Sequence, residues 1–259
     1  MSNQKNLTTN DTWFFGHPKG MVTLFFTEMW ERMSYYGMRG ILVLFMTASI
    51  LEGGLQIDNV SASAIYGIYS ACVYLVALLG GWLADRHIGQ QKAILYGGMI
   101  IMLGHFLLAF TNLQTFYLGL IFVVLGTGLL KPNISAIVGG LYENDLNKKE
   151  SGFTIFYMAI NIGSVLGFFI CGFLGENVGW HYGFGAAGIG MAFGLIQFIL
   201  TKSNLGSIGL EPSIELNNET KKSPKLLDKA KKIIPGLSLI HISEPTRQAE
   251  ISYAVFCLK

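Results

Sequence analysis

The stretch WHYGFGAAGIGMAFGLIQFIL, which runs from Trp180 to Leu200, contains no charged residue. At about 1.5 Å of rise per residue, an α-helix of this length reaches across the roughly 30 Å hydrocarbon core of a bilayer. The whole chain has the same character, because 51% of its 259 residues are hydrophobic and only 13% are charged, against about 25% in ordinary soluble domains. The composition therefore predicts an all-α polytopic membrane protein.

Six segments have the length and apolar character of membrane-spanning helices. We place them at Met21–Ala48, Ser61–Ala84, Ala93–Phe110, Phe116–Leu141, Gly152–Gly175 and Trp180–Leu200. The predicted organisation is a cytoplasmic N-terminus at residues 1–20, a six-helix transmembrane bundle at 21–200 and a lysine-rich cytoplasmic linker at 201–236. The composition of this linker favours a solvated segment over a short amphipathic helix lying on the membrane.

The cations of the loops all fall on one side of the predicted membrane. They are Lys5, Lys19, Arg86, Lys92, Lys148, Lys149 and Lys202, followed by further lysines of the linker. The positive-inside rule assigns that side to the cytoplasm. We therefore predict a multi-pass protein of the plasma (inner) membrane with a cytoplasmic N-terminus.

The last segment, residues 237–259, has a different character. Its sequence LSLIHISEPTRQAEISYAVFCLK has no apolar run long enough to cross a bilayer. It resembles the translation of a sequencing-library adapter, so we expect it to be an artefactual tail and exclude it from the fold. On this interpretation a second bundle of the same protein is missing.

The first span carries an unusual concentration of polar side chains. They are Glu28, Glu31, Arg32, Tyr35, Tyr36 and Arg39, and all lie within about 80° of Glu28 at 100° per residue. A charge inside a bilayer costs about 3 kcal/mol or more and usually marks a functional site. We expect this stripe to face a water-filled cavity. The alternative is that Glu28 and Arg32 form a buried ion pair that only holds the bundle together.

Three other spans place polar groups near the same depth. From the helical rise, Tyr74, Lys131 and Asn161 lie within roughly 5 Å of the level of Glu31 and Arg32. Lys131 is followed by Pro132, which favours a kink and frees a backbone carbonyl. The pattern predicts a binding site near the membrane midplane. For Lys131 the alternative is a cation that a nearby acid neutralises, without a role in binding.

Several motifs together resemble one family. They are GHPKG at residues 16–20, ExxERxxYY at 28–36, GGWLADRHIG at 80–89, GLLKPNIS at 128–135 and FTIFYMAINIGS at 153–164. The chain resembles the proton-dependent oligopeptide transporters, a branch of the major facilitator superfamily, over about residues 14–200. Met33 departs from the phenylalanine usual in that family. The resemblance implies a six-transmembrane-helix N-terminal bundle, built as two inverted three-helix repeats.

The resemblance also implies roles for individual residues. Glu28, Glu31 and Arg32 would couple transport to protons. The substrate-binding set would be Arg32, Tyr35, Tyr36, Arg39, Tyr74, Lys131 and Asn161. Asp85 and Arg86 would act in gating, with an ordinary interfacial charge pair as the alternative.

The resulting functional prediction is proton-coupled import of di- and tripeptides by the intact protein. Its partners would be small peptides, protons as the coupling ion, the lipid bilayer and the missing C-terminal bundle. We expect no other cofactor, no metal, no nucleic acid and no enzymatic activity, because no nucleophile–base pair or metal-ligand spacing occurs. The alternatives are transport of another small anionic or zwitterionic solute, or a structural membrane protein. Alone, this chain is expected to be inactive.

Overall fold

Long apolar segments joined by short polar connections fold into six helices in the computed structural model, which describes residues 12–110, 112–143 and 145–211. The helices are α1 (Lys19–Thr47), α2 (Asn59–Leu83), α3 (Gln90–Leu108), α4 (Leu113–Leu141), α5 (Leu146–Asn177) and α6 (Trp180–Thr201). Five of the described helices are long and apolar enough to cross a membrane. The sixth, α1, has 29 residues but carries the charges of the predicted stripe. The predicted all-α, six-helix bundle is confirmed.

The largest boundary error is at the start of α5. This helix begins at Leu146 rather than at the predicted Gly152. The side chain of Asp145 caps its first turn by accepting a hydrogen bond from the backbone N–H of Lys148 at 3.3 Å, which satisfies a donor that the helix itself leaves free. The polar first turns lie outside the apolar segment, so hydropathy alone missed them.

The helices pack in the pattern that two inverted repeats produce. The main partners are α1 with α5 and α6, α4 with α2 and α3, and α3 with α6. If α1, α2 and α3 are exchanged with α4, α5 and α6, the α1–α5 pair becomes α4–α2 and the α1–α6 pair becomes α4–α3. The contact of α5 with α6 has no comparable counterpart between α2 and α3, but these main pairs agree with the two three-helix repeats that the resemblance implied.

Two clusters of buried apolar side chains form the core. One is centred on aromatic residues near the C-terminal end of α1, including Phe45, Phe116 and Phe184. The other lies near the start of α1 and includes Met21, Ile134 and Phe198. Glu28, Glu31 and Arg32 of α1 lie between the two clusters and are buried by protein.

One end of the bundle carries the cations. It contains the starts of α1, α3 and α5, the ends of α2, α4 and α6, and the residues Lys19, Arg86, Lys92, Lys148 and Lys202. We call it the basic end. Just beyond α6, Lys202–Leu205 form a short 3-10 helix, and the chain is described as far as Glu211. The rest of the predicted linker and the predicted tail lie outside the described residues.

A small hairpin at the basic end was not predicted from the sequence. Its strands are β1 (Thr12–Phe14) and β2 (His17–Pro18), paired antiparallel. His17 Nδ1 lies 2.8 Å from the hydroxyl of Tyr142 at the end of α4, and both side chains are buried. Lys148 Nζ donates to the backbone oxygen of Gly16 at 3.5 Å. The hairpin therefore attaches the start of α1 to the α4–α5 connection.

We expect this attachment to weaken in acid. Burial, and then the charge of Lys148, lower the pKa of His17 below its ordinary value of 6.5, while Asp145 opposes the shift. Because the folded-state pKa is lowered, the unfolded chain binds the proton more readily. The stabilisation is therefore complete above pH 6.5 and is lost as the pH falls below it.

Thermal unfolding in detergent tests this expectation. Between about pH 7.5 and about pH 5.5, the melting temperature of the native protein should fall further than that of His17→Asn. Tyr142→Phe, which keeps the histidine but removes its hydroxyl partner, serves as the control for loss of the hydrogen bond alone. An equal pH dependence in the native protein and His17→Asn would contradict this account.

Candidate functional site

Three charged side chains of α1 form a compact buried cluster. Arg32 Nε donates a hydrogen bond to Glu28 Oε1 at 2.7 Å and lies 2.8 Å from Glu31 Oε2 as an ion pair. Glu28 is one turn before Arg32 and Glu31 is adjacent to it, so a single helix brings both carboxylates to one guanidinium. We call Glu28, Glu31 and Arg32 the charge cluster.

The cluster is more buried than the sequence suggested. Glu28, Glu31 and Arg32 expose 1%, 0% and 2% of their surface, so these three residues do not face an open cavity in this bundle. Burial is tolerated because the opposite charges lie in direct contact. The ion pair that we considered as an alternative, Glu28 with Arg32, is therefore present, but a second acid shares the same cation.

The second acid gives the charge cluster an unbalanced composition. Two carboxylates face one guanidinium, which leaves these three groups with one excess negative charge when all are ionised. Glu28 Oε2 and Glu31 Oε1 are buried and have no hydrogen-bond partner among the described residues. A buried carboxylate oxygen without a donor is costly. A proton bound there would remove the excess charge, so the geometry is suited to reversible protonation.

Glycines of α5 allow its backbone to lie directly against the charge cluster. A Cβ at Gly163 would overlap the carbonyl oxygen of Met29 and would lie 2.9 Å from Arg32 Cβ. One turn later, a Cβ at Gly167 would overlap the carbonyl oxygen of Met33. This contact explains why small residues recur on α5 at a spacing of four.

The second arginine of the stripe lies in an aromatic setting. Arg39 is half-buried and its Nε donates to the hydroxyl of Tyr66 on α2. Its guanidinium carbon lies 4.9 Å from the centre of the Tyr66 ring and 5.9 Å from that of Tyr35. Arg32 approaches the Tyr35 ring to 5.6 Å. Tyr35 thus links the two arginines through cation–π contacts, while Tyr36 beside it is half-buried.

Two tyrosines of α2 were missed by the sequence analysis. Tyr66 holds Arg39, and Tyr69 is buried with its hydroxyl next to that of Tyr35. They are three positions apart and so share one face of the helix. The spacing of these two phenolic hydroxyls was the available signal.

Lys131 and Tyr74, which were predicted to lie at a similar depth, are in contact. Lys131 Nζ lies 5.2 Å from the centre of the Tyr74 ring, and the field of Lys131 reaches Glu31. Tyr74 is 52% exposed, and Asn161 on α5 is also exposed. Tyr74 and Asn161 therefore lie on the surface of the six-helix bundle, whereas the charge cluster is buried inside it.

The α2–α4 contact fixes the helix that carries Lys131. A Cβ at Gly80 would overlap the carbonyl oxygen of Gly128, which is the carbonyl that Pro132 deprives of its usual partner. Asn133, which is buried, donates to the carbonyl oxygen of Leu129 at 2.6 Å and to that of Gly80 at 3.4 Å. The proline turn is thereby stabilised by an adjacent side chain.

The two predicted gating residues lie in a π-helical turn, Ala84–Ile88, at the basic end. Both are exposed. Asp85 Oδ1 accepts a hydrogen bond from Gln90 Nε2 at 3.2 Å, and Arg86 stacks over the Trp82 ring at 5.4 Å. Within the described part of the chain they form no ion pair with each other, so the alternative of a simple Asp85–Arg86 pair is not what the structure shows.

Comparisons with known proteins agree with this architecture. The profile of the POT family matches residues 91–224. A peptide transporter of Yersinia enterocolitica is 48% identical over 71% of this chain and 37% of its own length. A di-/tripeptide transporter of Lactococcus lactis is 43% identical over 85% of this chain and 45% of its own length. The chain therefore spans less than half of these relatives.

A solved structure matches as well. The crystal structure of a mutant of the peptide transporter POT in complex with alafosfalin superimposes with a TM-score of 0.75 at 45% identity, covering 84% of this chain and 46% of that chain. The family profile covers α3 to α6 and just over half of the chain, and the relatives and the solved structure match larger shares of it. On this evidence the chain belongs to the POT family of multi-pass membrane transporters.

Proposed function

We propose that this chain forms one half of a proton-coupled importer of di- and tripeptides. Peptide transport by the Yersinia and Lactococcus relatives supports the substrate class. The observation that carries the mechanism is the charge cluster, in which two buried carboxylates share one guanidinium at 2.7 and 2.8 Å. Protons are the coupling ion in this proposal, and no other cofactor is involved.

The geometry supports a competition for Arg32. With both acids ionised, the guanidinium is held by Glu28 and Glu31. Protonation of either acid weakens its attraction for Arg32, which then becomes available to the carboxylate of an incoming peptide. Binding of the proton and the peptide would then favour each other, as reciprocal coupling requires.

Other side chains complete this half of the proposed peptide site. Lys131 offers a second cation, which is close enough to interact electrostatically with Glu31. The ring of Tyr74 lies against Lys131. Arg39, Tyr35 and Tyr36 line the side toward the end of α1, while Asn161 is available for the peptide's amino end. The second half of the protein would supply the remaining contacts.

The charge distribution supports an orientation in the membrane. Because the basic end carries the lysines and arginines of the connections, the positive-inside rule favours a cytoplasmic location for it and for the N-terminus. The membrane would be the plasma (inner) membrane. Asp85 and Arg86 would then lie at the cytoplasmic opening, where Asp85 and Gln90 hold the turn in place and serve gating.

Uptake by the intact transporter tests the coupling proposal. In liposomes with an imposed pH gradient, Glu31→Gln should lose proton-driven dipeptide uptake by at least about tenfold, because an amide cannot bind and release the proton. Peptide exchange without a gradient should persist. Glu150→Gln, which alters an exposed acid of α5, is the matched control. Unchanged uptake in Glu31→Gln would overturn the coupling role.

The same assay separates the alternatives. Competition by unlabelled tripeptide supports the peptide assignment, whereas competition only by another small anion or zwitterion supports a related transporter with a different solute. If Glu31→Gln loses folding and expression along with uptake, the charges serve the structure of the bundle, which is the scaffold alternative.

A further inference from the structure

The ten residues that follow α6 pack against the basic end instead of leaving it. Leu205 is fully buried, and a Cβ at Gly20 of α1 would lie 3.2 Å from its Cδ2. Asn204 Nδ2 donates to the hydroxyl of Thr23 at 3.4 Å. The segment Lys202–Glu211, which we call the clasp segment, is therefore fastened to α1 at its beginning.

The middle of the clasp segment is fastened to α3 and α4. The backbone N–H of Gln91 donates to the oxygen of Gly209 at 2.9 Å. Its side-chain Nε2 donates to the oxygens of Ile208 and Gly206 at 2.7 and 3.3 Å. On the α4 side, a Cβ at Gly140 would lie 3.0 Å from Ile208 Cγ2. One glutamine thus satisfies three carbonyl groups of the clasp segment.

The end of the clasp segment lies directly on the turn between α2 and α3. A Cβ at Gly89 would lie 2.6–2.9 Å from backbone atoms of Leu210 and Glu211. Gly89 has φ +76° and ψ 150°, a conformation that only glycine adopts without strain. Glu211 also pairs with Lys92 at 2.5 Å, although this ion pair is exposed and contributes little.

We propose that the clasp segment locks the turn Asp85–Gly89 to the rest of the bundle and stays closed throughout transport. The inference rests on the proposed function, because it concerns the predicted gating turn. Opening the clasp segment would expose Leu205 to water. It would also break the hydrogen bonds that Gln91 donates to the carbonyl groups of the segment. The four helices α1, α3, α4 and α6 therefore move as one body at this end.

Cysteine cross-linking in the intact transporter tests this proposal. In a background without native cysteines, Gly140→Cys with Ile208→Cys would bring two Cβ atoms within about 4.5 Å, which suits a disulfide. Gly139→Cys with Ile208→Cys is the matched control, since a Cβ at Gly139 meets nothing within 4 Å. After mild oxidation in the membrane and denaturation, labelling with a maleimide mass tag counts the remaining thiols.

The expected result is loss of both thiols in the 140/208 pair and retention of both in the 139/208 pair. Oxidised 140/208 protein should keep dipeptide uptake within about twofold of its reduced form. Failure to cross-link, or loss of uptake on cross-linking that reduction restores, would overturn the proposal. If neither the cysteine-free parent nor the native transporter takes up dipeptide, the result counts against the proposed function. The thiol count would still decide whether the clasp segment is closed.

Discussion

Arg32→Ala is expected to abolish proton-driven peptide uptake and to lower the stability of the bundle markedly. The change leaves Glu28 and Glu31 buried, with exposures of 1% and 0%, and without their shared cation. Removing one partner of a buried pair costs about 3–5 kcal/mol. Uptake should be lost because the guanidinium proposed to receive the peptide's carboxylate is removed. Thermal unfolding in detergent and uptake into liposomes measure the two effects.

A charge-free variant distinguishes a transport role from a structural one. In the triple variant Glu28→Gln, Glu31→Gln, Arg32→Met, no unpaired charge is buried, so most of the lost stability should return. Proton-driven uptake should stay absent, because neither the proton acceptor nor the peptide's cation is restored. Recovery of uptake together with stability would show that the charge cluster only holds the bundle together.

Gly80→Ala is expected to have the second-largest effect. The added methyl would overlap the carbonyl oxygen of Gly128 and lie 2.9 Å from the Cα of Leu129. Both obstacles belong to the backbone of α4, so neither can rotate aside. The helices would have to separate, and the hydrogen bond from Asn133 to Gly80 would be lost. Overpacking of this kind costs about 3 kcal/mol or more when backbone must move.

A second glycine of α2 provides the control. A Cβ at Gly67 meets no atom within 4 Å, and alanine is favoured over glycine in a helix by about 1 kcal/mol. Gly67→Ala should therefore keep or slightly raise the melting temperature, while Gly80→Ala lowers it. Equal melting temperatures for the two variants would contradict the close α2–α4 contact.

The six-helix bundle and the position of the stripe on α1 could be predicted because each depends on a local pattern. Hydropathy locates apolar segments, and the helical period places Glu28, Arg32 and Arg39 on one side of α1. Counting rise per residue also placed Lys131 and Tyr74 at a similar depth, although not in contact. These properties need no knowledge of which helices are neighbours.

The burial of the charge cluster could not be predicted in the same way. It depends on the backbone of α5 reaching Arg32 at Gly163, a contact between residues far apart in sequence. The pairing of Arg39 with Tyr66 and the attachment of the clasp segment to Gln91 have the same origin. The hairpin at residues 12–18 was missed because strands this short give no periodic signal.

The close approach of Gly163 and Gly167 to α1 also has an electrical consequence. On that side the backbone of α5 lies directly against the backbone of α1 and the Cβ of Arg32, which leaves little room for water between the two helices. If the proposed coupling holds, a proton on Glu28 or Glu31 would be shielded on the α5 side and would exchange across the other faces of α1. Such insulation would limit the leakage of protons without cargo, which would otherwise discharge the gradient that drives uptake.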